Sequence, residues 1–146
     1  MPFEDFRKVL VRIKERYDSH KIMVIISGGE PLVREDLLQC GRAIYDLEFP
    51  WSMVSNGRLM TPQKIDQLLS SGIHSLTISL DGFQQDHNWM RGDELSFQCA
   101  TKAIEILAKE PSIKFDVVTC ANNRNYDSLE DFKEYKAEYI VDKAEE

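Results

Sequence analysis

Four short apolar runs constrain this fold more than any other feature. Each is closed by glycine or small polar residues and followed by a helix-length stripe. The first, over residues 21–26, stops at Ser27, Gly28, Gly29, Glu30 and Pro31. It is short, uniformly apolar and rich in β-branched residues, as suits a parallel strand buried on both faces. The others cover residues 51–54, closed by Ser55-Asn56-Gly57, then 75–80, closed by Asp81-Gly82, then 114–120, closed by Ala121-Asn122-Asn123.

Five helical stripes surround these runs. Phe3, Phe6, Leu10, Ile13 and Tyr17 recur at three- and four-residue steps and predict a helix over residues 3–17. A second covers 34–47, with Leu37, Leu38, Gly41, Ile44 and Tyr45 inward. The third starts at the cap Thr61, with Pro62 in its first turn, and ends at Gly72. The fourth covers 94–109, and the fifth begins after Asp127 or Ser128 and carries Leu129, Phe132 and Tyr135. Residues 83–93 read as a long loop, and 138–146 as a charged, frayed tail, leaving 1–137 as one domain. Strands alternating with helices imply right-handed βαβ units and a parallel sheet, an α/β fold. Four strands are few for such a sheet, and both of its edges would be open. The expected architecture is the middle of a larger barrel or sheet.

Composition narrows the function classes. The chain has 146 residues, a net charge of −7, 42% apolar and 29% charged residues, the profile of a globular domain. The acidic balance argues against non-specific nucleic-acid binding, which needs Lys and Arg against phosphates. No apolar run approaches the roughly 20 residues of a membrane span, and residues 1–6 lack a signal-peptide layout. A cytoplasmic protein is expected. Cys40, Cys99 and Cys120 are far apart, with no CxxC or CxxxCxxC, so no metal site is expected within the chain. Cys99 and Cys120 read as small core residues, and Cys40 as structural rather than reactive. His20, His74 and His87 stand at no metal or relay spacing, and His20 and His74 read as structural or exposed.

In parallel α/β proteins ligands bind at the carboxyl ends of the strands. There the candidate residues gather. Gly28 and Gly29 open the backbone to a ligand, and Glu30 sets a carboxylate beside that opening, suited to an ammonium group. Pro31 stiffens the exit. The rival reading is a tight turn with a solvated Glu. Ser55 and Asn56 offer a hydroxyl and an amide, or make a plain turn. Ser79 and Asp81, two apart, share a face and could hold ribose hydroxyls or an amino acid; a simple Asx turn is the alternative. Arg91 on the long loop could clamp a carboxylate, or be a surface Arg.

Taken in order, these motifs resemble the core of the radical S-adenosylmethionine (radical SAM) family. The match runs through Ile25-Ile26-Ser27-Gly28-Gly29-Glu30-Pro31-Leu32, Val54-Ser55-Asn56-Gly57, Ile78-Ser79-Leu80-Asp81-Gly82 and His87-Asn88-x-x-Arg91-Gly92. The flavour is that of peptide-modifying maturases and haem-biosynthesis-like members. The resemblance implies a partial TIM barrel, a fragment of a (β/α)₆ barrel, binding SAM across the strand ends. Gly28, Gly29 and Glu30 would meet the methionine amino group, Ser79 and Asp81 the ribose or carboxylate, and Arg91 the carboxylate. Asn56, with Asn122 or Asn123, would line the pocket. The family's [4Fe–4S] cluster is held by CxxxCxxC after its first strand, and this chain is expected to begin after that loop. The implied parent reaction is reductive cleavage of SAM to a 5′-deoxyadenosyl radical, followed by hydrogen abstraction from a substrate such as a peptide. The chain alone is expected to be inactive. Two alternatives stay open: a cluster-free SAM- or small-molecule-binding module, and a non-redox TIM-barrel fragment. No Lys stands at a strand end to support the latter.

Overall fold

The computed structural model describes residues 2–145 and contains a single parallel sheet. Its strands are β1 (Val24–Ile26), β2 (Trp51–Ser55), β3 (Ile73–Ser79) and β4 (Lys114–Val118), in the order β1-β2-β3-β4. All three pairings are parallel. Six helices accompany them: α1 (Phe3–Lys14), α2 (Leu37–Asp46), α3 (Pro62–Ser70), α4 (Gln84–Arg91), α5 (Ser96–Ala108) and α6 (Leu129–Glu145). Neighbouring strands follow one another in sequence, as in the arc of a barrel.

The core lies on one face of the sheet. Trp51, Met53, Leu76 and Ile78 point into the helical layer, where they meet Leu10, Ile44, Leu68, Ile104 and Leu107. The register slips between Trp51 and Ser52, so Ile73 and Leu76 both reach this layer although they stand three positions apart. Gly41 lets α2 close on β2: a Cβ there would stand 2.3 Å from the Trp51 ring. The Trp51 indole donates to the Ser71 carbonyl at 3.3 Å, so its one polar atom is satisfied inside the core.

The other face is only partly covered. It carries Ile25, Ser52, Val54, Ser75, Thr77 and Ser79, with Lys114, Asp116 and Val118 on β4, by the alternation and register of the strands. Ile25 is 61% exposed. The strands are therefore not buried on both faces, contrary to expectation: small polar residues alternate with the core residues in β2 and β3.

Other expectations shift for local reasons. The first helix stops at Lys14, and Tyr17 lies beyond it, exposed. Tyr45, expected inward, is exposed on α2, its ring lying against Gly72. The long loop is largely a helix: α4 spans most of it and ends on Gly92 in the left-handed region, φ 64°. Residues 138–145 are not a frayed tail but the last turns of α6. There Tyr139 packs on the core and donates to Glu105 at 2.7 Å. Thr61 caps α3 as predicted, accepting from the Lys64 N–H at 3.1 Å.

Candidate functional site

Because every strand runs the same way, all four carboxyl ends meet at one rim, and two carboxylates organise it. The first is Glu30. Gly28 and Gly29 leave β1 with φ of 85° and 57°, a left-handed pair that suits glycine and turns the chain sharply. Apart from the chain neighbours, no heavy atom lies within 4 Å of the position a Cβ would take on either, so bare backbone faces open space. Glu30 then starts a short 3₁₀ turn at Pro31. Its Oε1 accepts from the Leu32 N–H at 3.1 Å and the Ser55 hydroxyl at 2.9 Å, and its Oε2 from the Asn56 N–H at 2.7 Å. The carboxylate thus ties the end of β1 to the end of β2. All its donors are neutral, and among the described residues no cation pairs with it. Ser55 also accepts from the Gly57 N–H at 3.1 Å, and Asn56 from the Arg58 N–H at 2.9 Å.

The second is Asp81, only 2% exposed. Its Oδ2 accepts from Arg91 Nε at 2.8 Å, with Nη2 of the same guanidinium 2.5 Å away in an ion pair, and its Oδ1 accepts from the Cys120 N–H at 2.9 Å. Its own N–H donates to His87 Nδ1 at 3.0 Å, and its carbonyl accepts from Asn125 Nδ2 at 2.5 Å. Every polar group of Asp81 is therefore engaged by protein. Burial pushes the His87 imidazole below its ordinary pKa, against the pull of Asp81 and with Arg91 adding to the lowering. A neutral His87 keeps the Nδ1 lone pair that this hydrogen bond requires.

Arg91 thus stands at the end of α4, not on a loop, and the Nε edge of its guanidinium is taken by Asp81. Ser79, the last residue of β3, differs: it is buried as a residue, yet among the described residues its hydroxyl has no partner. Asn122 accepts from the Arg124 N–H and donates to the Cys120 carbonyl, within a turn. The central amide of that loop is Asn125, 1% exposed, bonded to Asp81, Cys120 and the Asn122 N–H. Sequence reasoning missed both Asn125 and His87. A cavity of about 250 Å³ is lined by Asn56, Arg58, Arg91, Asp93, Ser96 and Cys99. At the outer rim Arg124 stacks over the exposed Trp89 ring, 4.6 Å from its centroid, and pairs with Asp86 at 2.8 Å.

The cysteines divide. Cys40 is buried on α2, and burial raises its thiol pKa. Cys99 lines the cavity and Cys120 is exposed just past β4, so neither is the core residue expected. Small side chains are admitted by helix stripes and strand ends whether or not they are buried, which is why pattern alone misassigned them. Among the described residues no group of three or more His, Cys, Asp or Glu could hold a metal ion.

The model of the radical SAM superfamily matches residues 1–136. The chain belongs to that superfamily. AdoMet-dependent heme synthase of Methanosarcina barkeri is 32% identical over 110 residues, covering 75% of this chain and 31% of that protein. Mycofactocin maturase MftC of Mycolicibacterium smegmatis is 28% identical over 116 residues, 80% of this chain and 30% of its own. This chain spans about a third of the length of the curated relatives it matches. Streptococcus suis SuiB has the same fold at 17% identity. In its complex with the precursor peptide SuiA the TM-score is 0.76, covering 98% of this chain and 30% of SuiB. Bound to S-adenosylmethionine it gives 0.60 at 19% identity, over 97% of this chain and 40% of that one.

Radical SAM enzymes use SAM and a [4Fe–4S] cluster. The rim suits the first: open glycine backbone, a carboxylate without a cation, a free hydroxyl and a guanidinium with unused donors. It does not suit the second, since the cysteines sit on separate elements. No helix of the described residues is long and apolar enough to cross a membrane.

Proposed function

We propose that this chain is the SAM-binding core of a radical SAM enzyme. The observation that carries the reading is the convergence, at one sheet end, of open groups that follow three successive strands, β1, β2 and β3. Glu30, its charge unbalanced by any cation among the described residues, receives the methionine ammonium beside the bare backbone of Gly28 and Gly29, and Pro31 stiffens that turn. Ser79 offers its unpartnered hydroxyl to the ribose. Arg91 receives the methionine carboxylate. Ser55 and Asn56 form the wall between them, with Asp81 and Asn122 behind.

Bound SAM supplies, on one-electron reduction, a 5′-deoxyadenosyl radical that takes a hydrogen atom from the substrate. In this chain the residues bind and orient; none is placed to deliver the electron. The chain alone therefore binds SAM without cleaving it, and the complete protein reacts. The substrate is a peptide, a reading supported by the maturase relative and by SuiB in complex with its precursor peptide. The partly covered sheet face, polar through Ser52, Ser75 and Thr77, is the wall such a segment would meet. Residues 1–137 act as the binding domain. The setting is the cytoplasm, where three unpaired cysteines stay reduced.

The cluster-free binding module is the second reading, favoured by the scattered cysteines. Titration of the iron-free chain with SAM, followed by calorimetry, tests the binding that both share. Saturable binding that Ser79→Ala and Arg91→Ala weaken supports it; no heat, or binding indifferent to both substitutions, overturns it. Stoichiometric iron and a brown colour in the purified chain would overturn the statement that it carries no cluster.

A further inference from the structure

Asp81 and Arg91 were both expected to touch ligand, yet the geometry separates their roles. Asp81 is sealed: its carboxylate is shared between Arg91 and the Cys120 N–H, and its backbone groups between His87 and Asn125. A ligand hydroxyl would have to displace one of these partners inside a site 2% exposed. Arg91 is half open, its side chain 34% exposed and its residue lining the cavity with Asn56. Only its Nε and Nη2 are engaged, both on the Oδ2 of Asp81. Among the described residues, neither N–H donor on Nη1 has a protein partner.

We infer that Asp81 is a positioning residue: it grips the Nε edge of Arg91 and presents the Nη1 side of the fork to a ligand carboxylate. His87 and Asn125 complete the device by fixing the Asp81 backbone from both sides, so the grip does not swing. An arginine held by one edge binds a carboxylate in one orientation and loses little side-chain freedom when it does. The inference rests on the SAM-binding reading above.

The test uses the full 146-residue chain, titrated calorimetrically with SAM and with decarboxylated SAM, which lacks only the carboxylate. Asp81→Asn is expected to weaken SAM about tenfold or more, the range of a lost charge-assisted contact. Decarboxylated SAM should stay within about twofold, since Asp81 reaches the ligand only through Arg91. Equal weakening of both ligands means a structural role and overturns the inference, as does no change in either. Against misfolding of the variant, the wild-type chain provides a second reading. Its Arg91 Nε–H, assigned in ¹⁵N spectra by loss of the signal in Arg91→Lys, should exchange slowly before and after SAM is added. Rapid exchange in either state overturns the grip. If the wild-type chain binds no SAM, the SAM reading falls and the inference with it. If it binds SAM and Asp81→Asn still discriminates the two ligands like wild type, the inference alone falls.

Discussion

Glu30 and Asp81 are both carboxylates just past a strand end, and each laces two neighbouring strands together, but they are held in opposite ways. Glu30 is half-buried and takes three neutral donors, with no cation among the described residues. Asp81 is sealed and takes an arginine, a backbone amide and the two side chains that fix its own backbone. Neutral donors shape a carboxylate without cancelling its charge, so Glu30 keeps the field a ligand cation needs. A guanidinium cancels it, so Asp81 hands the chemistry on to Arg91. Equal residue types at equivalent places can thus be a contact and a support, and the partners decide which.

Four measurements sharpen or break this contrast. The largest effect is expected from Asn125→Ala, which strips partners from the carbonyls of Asp81 and Cys120 and from the Asn122 N–H. About 3 kcal/mol should be lost in urea unfolding, because buried groups are left unpaired. Glu30→Gln keeps the shape of a half-exposed group and should lose about 1 kcal/mol by the same measurement. A loss equal to that of Asn125→Ala would erase the distinction between the two junctions. Gly29→Ala should destabilise by about 1 kcal/mol, from left-handed strain rather than crowding, since the space around it is open. Gly29→Asn should recover part of that loss, as asparagine tolerates the region.

The smallest effect concerns pH. His87 is held neutral by burial, its pKa lowered in the folded state. As pH falls below the ordinary value of about 6.5, the unfolded chain takes up a proton that the folded chain refuses. Stability from this group is therefore full above that pH and declines as the folded pKa is approached. Thermal melts between about pH 7 and 5 should show the decline, and His87→Asn, which keeps an acceptor near Nδ1 but does not titrate, should flatten it. An equally steep decline in that variant would assign the acid sensitivity elsewhere.

Much of this architecture was legible because the chain punctuates itself. Thr61-Pro62 announces α3, and the breaks at Gly28-Gly29, Asn56-Gly57 and Asp81-Gly82 mark three of the four strand ends. What escaped was structure held by side-chain hydrogen bonds rather than by an apolar stripe. In α4, only His87 is buried, so no helical stripe is visible. The segment is pinned instead by Asn88, which accepts from the Phe97 N–H and the Ser96 hydroxyl and donates to the Glu94 carbonyl. Asn125 escaped for a related reason: among Asn122, Asn123 and Asn125 every amide suits a turn, and only the fold selects the one that reaches Asp81. The partly covered sheet face was missed because β-branched runs do not reveal which side will be covered.

The two tryptophans give the molecule a pair of internal lamps. Trp51 is fully buried against Gly41, while Trp89 lies 61% exposed beneath the Arg124 guanidinium at the rim. Their emission should resolve into a blue component that iodide does not reach and a red component that it quenches. Unfolding extinguishes the first. Anything that binds at the rim and shifts Arg124 alters the second while the first stays constant, so one spectrum separates occupancy from loss of fold.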